Sequence, residues 1–188
     1  MDSVPVLLAR VRDGDAAALD ALLPRLYDEL REIAHRQRLR HRAYDTLNTT
    51  ALVHEAYARL AGRETLAPAD RAHLLALAAR AMRDVIVDYA REQRAEKRGG
   101  GRPDVPLDVA EVLGALADRR PEEILGVDES LRRLERLDPR AGRVVELRYF
   151  AGFTIPETAD LLGVSEATVR RDWTAARAWL SRDLGAGP

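Results

Sequence analysis

The reading of the fold turns on Thr154–Leu180, TIPETADLLGVSEATVRRDWTAARAWL. Thr154 and Glu157 have the spacing of a capping box, in which a hydroxyl and a carboxylate three residues on satisfy each other's exposed backbone N–H groups. A helix over Glu157–Leu162 follows, and Gly163-Val164 supplies a turn. Ser165 then caps a second helix, and Glu166 sits at the positive end of its dipole. Ala159 is small where two helices must cross closely, and Val164 and Val169 fill the space between them, which is the grammar of a helix-turn-helix. In that motif the second helix enters the major groove. There an arginine makes paired bonds to guanine and a threonine reaches bases or phosphates. The candidate contacts are Ser165, Thr168, Arg170, Arg171, Thr174 and Arg177, with Arg170 and Arg171 the best readers. An arbitrary charged helix more often presents a solvated face, but the ordered turn before this one favours the groove. Trp173 and Trp179 are expected to pack in the core, the commoner place for an indole.

Upstream, Leu131, Leu134 and Leu137 recur on one helix that begins near Glu122. Asp138-Pro139 supplies a cap and a first-turn proline for the next, whose core face is Val144, Val145, Leu147 and Phe150. The first half of the chain is helical as well. A short helix over Val4–Val11 stops at Asp13-Gly14, and Asp15 caps a longer one carrying Leu19, Leu22, Leu23, Leu26, Leu30 and Ile33 at helical spacing, with Pro24 a point of kinking. Asn48-Thr49-Thr50 offers caps for a helix from Ala51 to Leu60, whose stripe Leu52, Val53, Ala56, Tyr57 and Leu60 leaves His54, Glu55 and Arg59 outside it. After the Gly62–Pro68 loop, Asp70 caps a helix that buries Leu74, Leu77, Ala78, Ala81, Val85 and Tyr89, then turns basic. A helix whose apolar face stops while its positive charge continues is suited to reach toward an anion.

The 188 residues suffice for two small domains. Aromatics are 5% of the chain and β-branched residues form no long runs, so an all-α fold is expected: two small helical domains joined by a flexible linker, the second containing the helix-turn-helix. The absence of cysteine excludes disulfides and thiolate metal sites and fits the cytoplasm. The N-terminus lacks a basic segment followed by an apolar one, and no run approaches the roughly 18 apolar residues of a membrane span. Export and membrane insertion are therefore not expected. A formal net charge of -1 argues against nucleic-acid binding only until its distribution is seen. Cations gather at Arg36, Arg38, Arg40 and Arg42, at Arg91, Arg94, Lys97, Arg98 and Arg102, and at Arg170, Arg171, Arg177 and Arg182. Acids gather between them at Asp104, Asp108, Glu111, Asp118, Glu122 and Glu123, an acidic connector between basic surfaces.

Ala51–Leu60 (ALVHEAYARL), the basic helix Leu74–Arg98, Leu134-Glu135-Arg136-Leu137-Asp138-Pro139 and Val144–Leu180 together resemble an extracytoplasmic-function (ECF) type sigma factor of the sigma-70 family, over nearly the whole chain from Val6 to Leu184. The resemblance implies that residues 1–98 are sigma domain two, which binds core RNA polymerase and captures an unpaired promoter strand. It implies a linker at 99–121, and at 122–188 sigma domain four, which reads the upstream promoter element as duplex. The polymerase-binding residues would be Asn48, Thr49, His54, Glu55 and Arg59. Arg80, Arg83, Arg91, Arg94, Lys97 and Arg98 would contact DNA, with the Gly62–Pro68 loop holding a flipped base. Arg80 and Arg83 have an alternative in ion pairs with Asp84 and Asp88 on their own helix.

One departure concerns the start of the polymerase-binding helix. Many proteins of this kind carry acids there, whereas this chain has Asn48-Thr49-Thr50-Ala51. Phosphorylation of Thr49 or Thr50 would restore negative charge at a helix N-terminus; the alternative is that both are ordinary caps. A Ser/Thr kinase and an anti-sigma factor are thus candidate regulators beside the principal partners, core polymerase and promoter DNA.

The residues suggest no catalysis, metal or cofactor. His35, His41, His54 and His73 lack the paired spacing of a zinc protease helix, and Gly99-Gly100-Gly101 ends a helix instead of linking a strand to one, as a phosphate loop does. Two other readings compete: a dimeric helix-turn-helix regulator that binds operator DNA without polymerase, and a helical adaptor that touches only proteins.

Overall fold

The computed structural model describes residues 2–39, 47–62, 66–96 and 121–185. Among them the chain is helical, with no strand: α1 (Val4–Arg12), α2 (Ala16–Leu39), α3 (Leu47–Ala61), α4 (Arg71–Glu96), α5 (Pro121–Leu137), α6 (Pro139–Val145), a π-helical segment (Glu146–Ala151), α7 (Ile155–Leu162) and α8 (Glu166–Gly185). They form two compact units, and the division falls within α4, after Val85. Apart from Pro121, the stretch 99–121 expected as a linker lies outside the described residues.

In the first unit, the leucines of α2 meet Val53, Ala56 and Leu60 of α3 and Leu74, Ala78 and Met82 of α4 around one apolar centre. Leu22, Leu52, Val53 and Met82 are among its fully buried side chains, each worth roughly 2 kcal/mol of transfer free energy. Gly14 takes φ +87° at the end of α1, and the Asp15 carboxylate accepts from Ala17 N at 3.0 Å to cap α2. α2 runs through Pro24 to Leu39. Gln37 donates to the Ala79 carbonyl at 3.0 Å, Arg71 pairs with Glu29, and the Tyr57 hydroxyl donates to Asp20, so polar contacts also join these helices. Asp70 caps α4 through His73 N at 2.8 Å.

The start of α3 corrects the expectation that Asn48, Thr49 and Thr50 precede the helix as caps. α3 already begins at Leu47, so all three lie within its first turn. Thr49 stands three and four residues before Leu52 and Val53, on the same helical face, and is 2% exposed. The Thr50 hydroxyl accepts a hydrogen bond from Tyr27 Oη at 3.3 Å, a tertiary contact in place of a cap.

In the second unit, α5, α6 and α8 enclose Leu131, Leu134, Ala141, Val145, Phe150 and Ala176. A second cluster, Val144, Ala159 and Val169, joins α6, α7 and α8. Trp173 packs against both clusters and Trp179 against the first, as expected. Asp138 caps α6 through Ala141 N at 3.0 Å, with Pro139 in its first turn. The helix expected to continue to Phe150 instead widens at Glu146, and the Gly152 N–H bonds the Leu147 carbonyl five residues back. The five-residue spacing of a π-helix brings Val145 and Phe150 onto one side, and both enter the same core cluster. Gly152, at φ +78°, ends the segment.

Candidate nucleic-acid interface

The helix-turn-helix is α7, the turn Gly163–Ser165 and α8. Its capping box forms in full: Thr154 N donates to Glu157 Oε2 at 2.7 Å, and Glu157 N donates to Thr154 Oγ1 at 3.4 Å. Gly163 adopts φ +63°, the left-handed conformation that ends α7, and Val164 N reaches back to the Ala159 carbonyl at 3.1 Å. Ser165 Oγ accepts from Thr168 N at 3.2 Å and so caps α8. All of these bonds are local, which is why the turn was legible from spacing alone.

Buried Val169 and Ala176 hold the inner face of α8, so Arg170, Arg171, Thr174 and Arg177 face solvent. Each arginine has a different neighbour. Arg170 is tied to Glu166 at 2.8 Å, one helical turn back. Arg177 lies over the Trp173 ring, 5.9 Å from its centroid. Arg171 is 74% exposed, and its Nε lies 4.0 Å from Asp172. Thr174 Oγ1 donates to the Arg170 carbonyl at 2.9 Å, while Ser165 Oγ and Thr168 Oγ1 are 2.9 Å apart. Ser165 and Thr168 are thus engaged in the cap, and the longer reach belongs to the arginines.

Asp172 was not singled out from the sequence. It is 6% exposed on the inner side of α8 and accepts from Arg140 of α6, Nε at 2.6 Å and a terminal nitrogen at 3.4 Å. The hydrogen bonds and charge of Asp172 hold the Arg140 pKa above its ordinary value. The available signal was an acid at a core position: Asp172 falls between Val169 and Ala176 in the buried stripe. Arg148 completes the support, donating to the Phe153 carbonyl at 3.0 Å and lying 5.5 Å from the Trp173 ring centroid.

In the first half of the chain the expected residues are less uniform. Arg83 is 5% exposed, a position unsuited to a phosphate contact, because α4 buries a broader face than the expected stripe, including Ala79, Met82, Ile86 and Val87. Arg80 is exposed and Arg94 half-buried. Arg91 pairs with Asp88 at 2.8 Å and Asp128 at 3.4 Å. Lys97 and Arg98 lie outside the described residues, as do the centre of the Gly62–Pro68 loop and the Asn48 side chain. On α3, His54 is exposed and Arg59 lies 3.8 Å from Glu55. Buried Thr49 presents almost no surface to a polymerase or a kinase. Among the described residues no group of three or more His, Cys, Asp or Glu side chains could hold a metal ion, and no helix is long and apolar enough to cross a membrane.

Comparison with known protein families agrees with the resemblance of the whole chain. The family model described as "ECF sigma factor" matches residues 1–186. Among solved structures, CnrH in complex with the cytosolic domain of CnrY is 22% identical, covers 100% of both chains and has a TM-score of 0.41. No curated protein matches the chain. With a match over residues 1–186, the chain belongs to the ECF sigma factor family and is an RNA polymerase sigma factor, a subunit that binds core RNA polymerase and promoter DNA in transcription initiation.

Proposed function

We propose a division of labour within this sigma factor. Residues 1–98 bind core polymerase through the outer face of α3, at His54, Glu55 and Arg59, and contact the opened promoter strand with Arg80, Arg91, Arg94, Lys97 and Arg98. Residues 122–188 read the upstream promoter element as duplex, with Arg170, Arg171, Thr174 and Arg177 toward the major groove. The chain adds recognition and leaves the chemistry to the polymerase. The observation that carries this reading is the outward face of α8, where three arginines stand on a helix whose start is set by an ordered turn.

Regulation is the finer part of the proposal. Thr50 is the phosphorylation site carried forward, because Thr49 is buried whereas Thr50 is partly exposed in the first turn of α3. An anti-sigma factor would act on the same surfaces by covering them.

The test is reconstituted transcription. The purified chain and bacterial core polymerase are incubated with fragmented genomic DNA of the host, and transcript starts are mapped. Discrete starts absent with core alone are expected, and their shared upstream sequence defines the element. An Arg171→Ala chain that started at the same sites with the same preference would refute the role given to α8.

A further inference from the structure

Arg140 and Arg171 approach the same carboxylate from different helices. Asp172 Oδ1 lies 3.4 Å from an Arg140 terminal nitrogen and 4.0 Å from Arg171 Nε, while Asp172 Oδ2 accepts the 2.6 Å bond from Arg140 Nε. A nearly buried carboxylate requires a cationic partner, because leaving it unpaired costs far more than an exposed pair returns. Arg140 meets that requirement across two atoms, the geometry in which a guanidinium binds a carboxylate best. Arg171 can then stay 74% exposed.

We infer that Arg140 is a positioning residue for promoter recognition: by occupying Asp172 it keeps Arg171 directed outward to the base it reads. Without Arg140, the nearest cation able to compensate Asp172 is its own neighbour, Arg171. A rotation of that side chain brings it from 4.0 Å into bonding distance and takes it off the outer face of α8. The loss of recognition would therefore occur at a residue that Arg140 does not touch. Arg170, already tied to Glu166, and Arg177, over Trp173, would be unaffected. This inference rests on the reading of Arg171 as a base contact.

The experiment uses the full chain bound to core polymerase. The probe is a pool of promoter duplexes in which the upstream element, defined by the mapped starts, is randomised; retained DNA is sequenced to give a preference at each base pair. Arg171→Ala identifies the position read by Arg171. Arg140→Ala is expected to lose preference at that same position, by roughly tenfold, and to keep it elsewhere. Arg140→Lys, which offers a point charge in place of a fork, should fall between. Arg140→Ala combined with Asp172→Ala removes both the need and the partner, and should restore the wild-type preference. Thermal unfolding of each variant identifies any that fail to fold, and the double variant tests the coupling without a buried unpaired acid. If Arg171→Ala changes no position, the base-contact reading falls and this inference with it. If Arg171→Ala acts at one position while Arg140→Ala acts at none or weakens all evenly, the reading stands and the role of Arg140 is refuted. Failure of the double variant to restore preference also refutes it.

Discussion

Gly142 of α6 faces α5 so closely that a β-carbon on it would lie 2.5 Å from Glu135 Cγ and 3.1 Å from Glu135 Cα. Two helices joined only by Asp138 can pack this tightly because one of them lacks a side chain at the crossing. In an open helix, glycine to alanine gains about 1 kcal/mol. Here the overlap reverses the sign, and Gly142→Ala is expected to destabilise the second unit by about 1–2 kcal/mol, with Gly142→Val costing more. Thermal unfolding followed by helical circular dichroism measures it, and a stabilised Gly142→Ala would show that α5 yields at this contact.

The capping box makes a prediction of similar size. Thr154→Ala removes the acceptor for Glu157 N and is expected to cost about 1 kcal/mol, whereas Thr154→Ser keeps the hydroxyl and most of the stability. Urea unfolding distinguishes the two variants. Equal losses would assign the role of Thr154 to its methyl group.

Acid should loosen the attachment of α8 to α5. Asp183 accepts from Ser130 Oγ at 2.5 Å and pairs with Arg133 at 2.8 Å, and these bonds, the Ser130 bond first, hold its carboxyl below the usual range. A carboxyl whose folded pKa is depressed contributes stability above its unfolded value of about 3.9 and loses that contribution as pH falls through the folded value. Asp183→Asn should therefore lower the melting temperature at neutral pH, and the gap to wild type should close below about pH 4. Asp15, whose carboxyl is also lowered by its bond with Arg10, is common to both proteins and drops out of the difference. A gap independent of pH would sink the assignment.

The two threonines at the start of α3 should respond differently to added charge. Thr49→Asp places a carboxylate beside Leu52 and Val53 and is expected to cost at least about 2 kcal/mol. Thr50→Asp should cost less and, if negative charge there promotes polymerase binding, should raise affinity for core polymerase in a pull-down or anisotropy titration. A stable Thr49→Asp chain with raised affinity would instead make Thr49 the regulatory position.

Much of the second unit was legible because its signals are local. The Thr154–Glu157 box, the left-handed turn at Gly163 and the Ser165 cap each involve residues within a few positions of one another, so spacing carries the information. Helical periodicity likewise placed Leu22, Leu52 and Val85 in a core. The same reasoning misplaced the start of α3, since a threonine suits both a cap and the edge of a buried stripe, and only the packing of α2 against α3 distinguishes them.

The sequence by itself determined the fold class, the helix-turn-helix and the arginines on its second helix, because backbone capping and helical period act over a turn or two of chain. Only the tertiary structure decided which of the candidate site residues face outward. Arg83 and Thr49 are buried by neighbouring helices, and Asp172 is held by Arg140 from 32 residues away. Burial and ion pairing depend on what folding brings alongside a residue, and no local spacing encodes that partner.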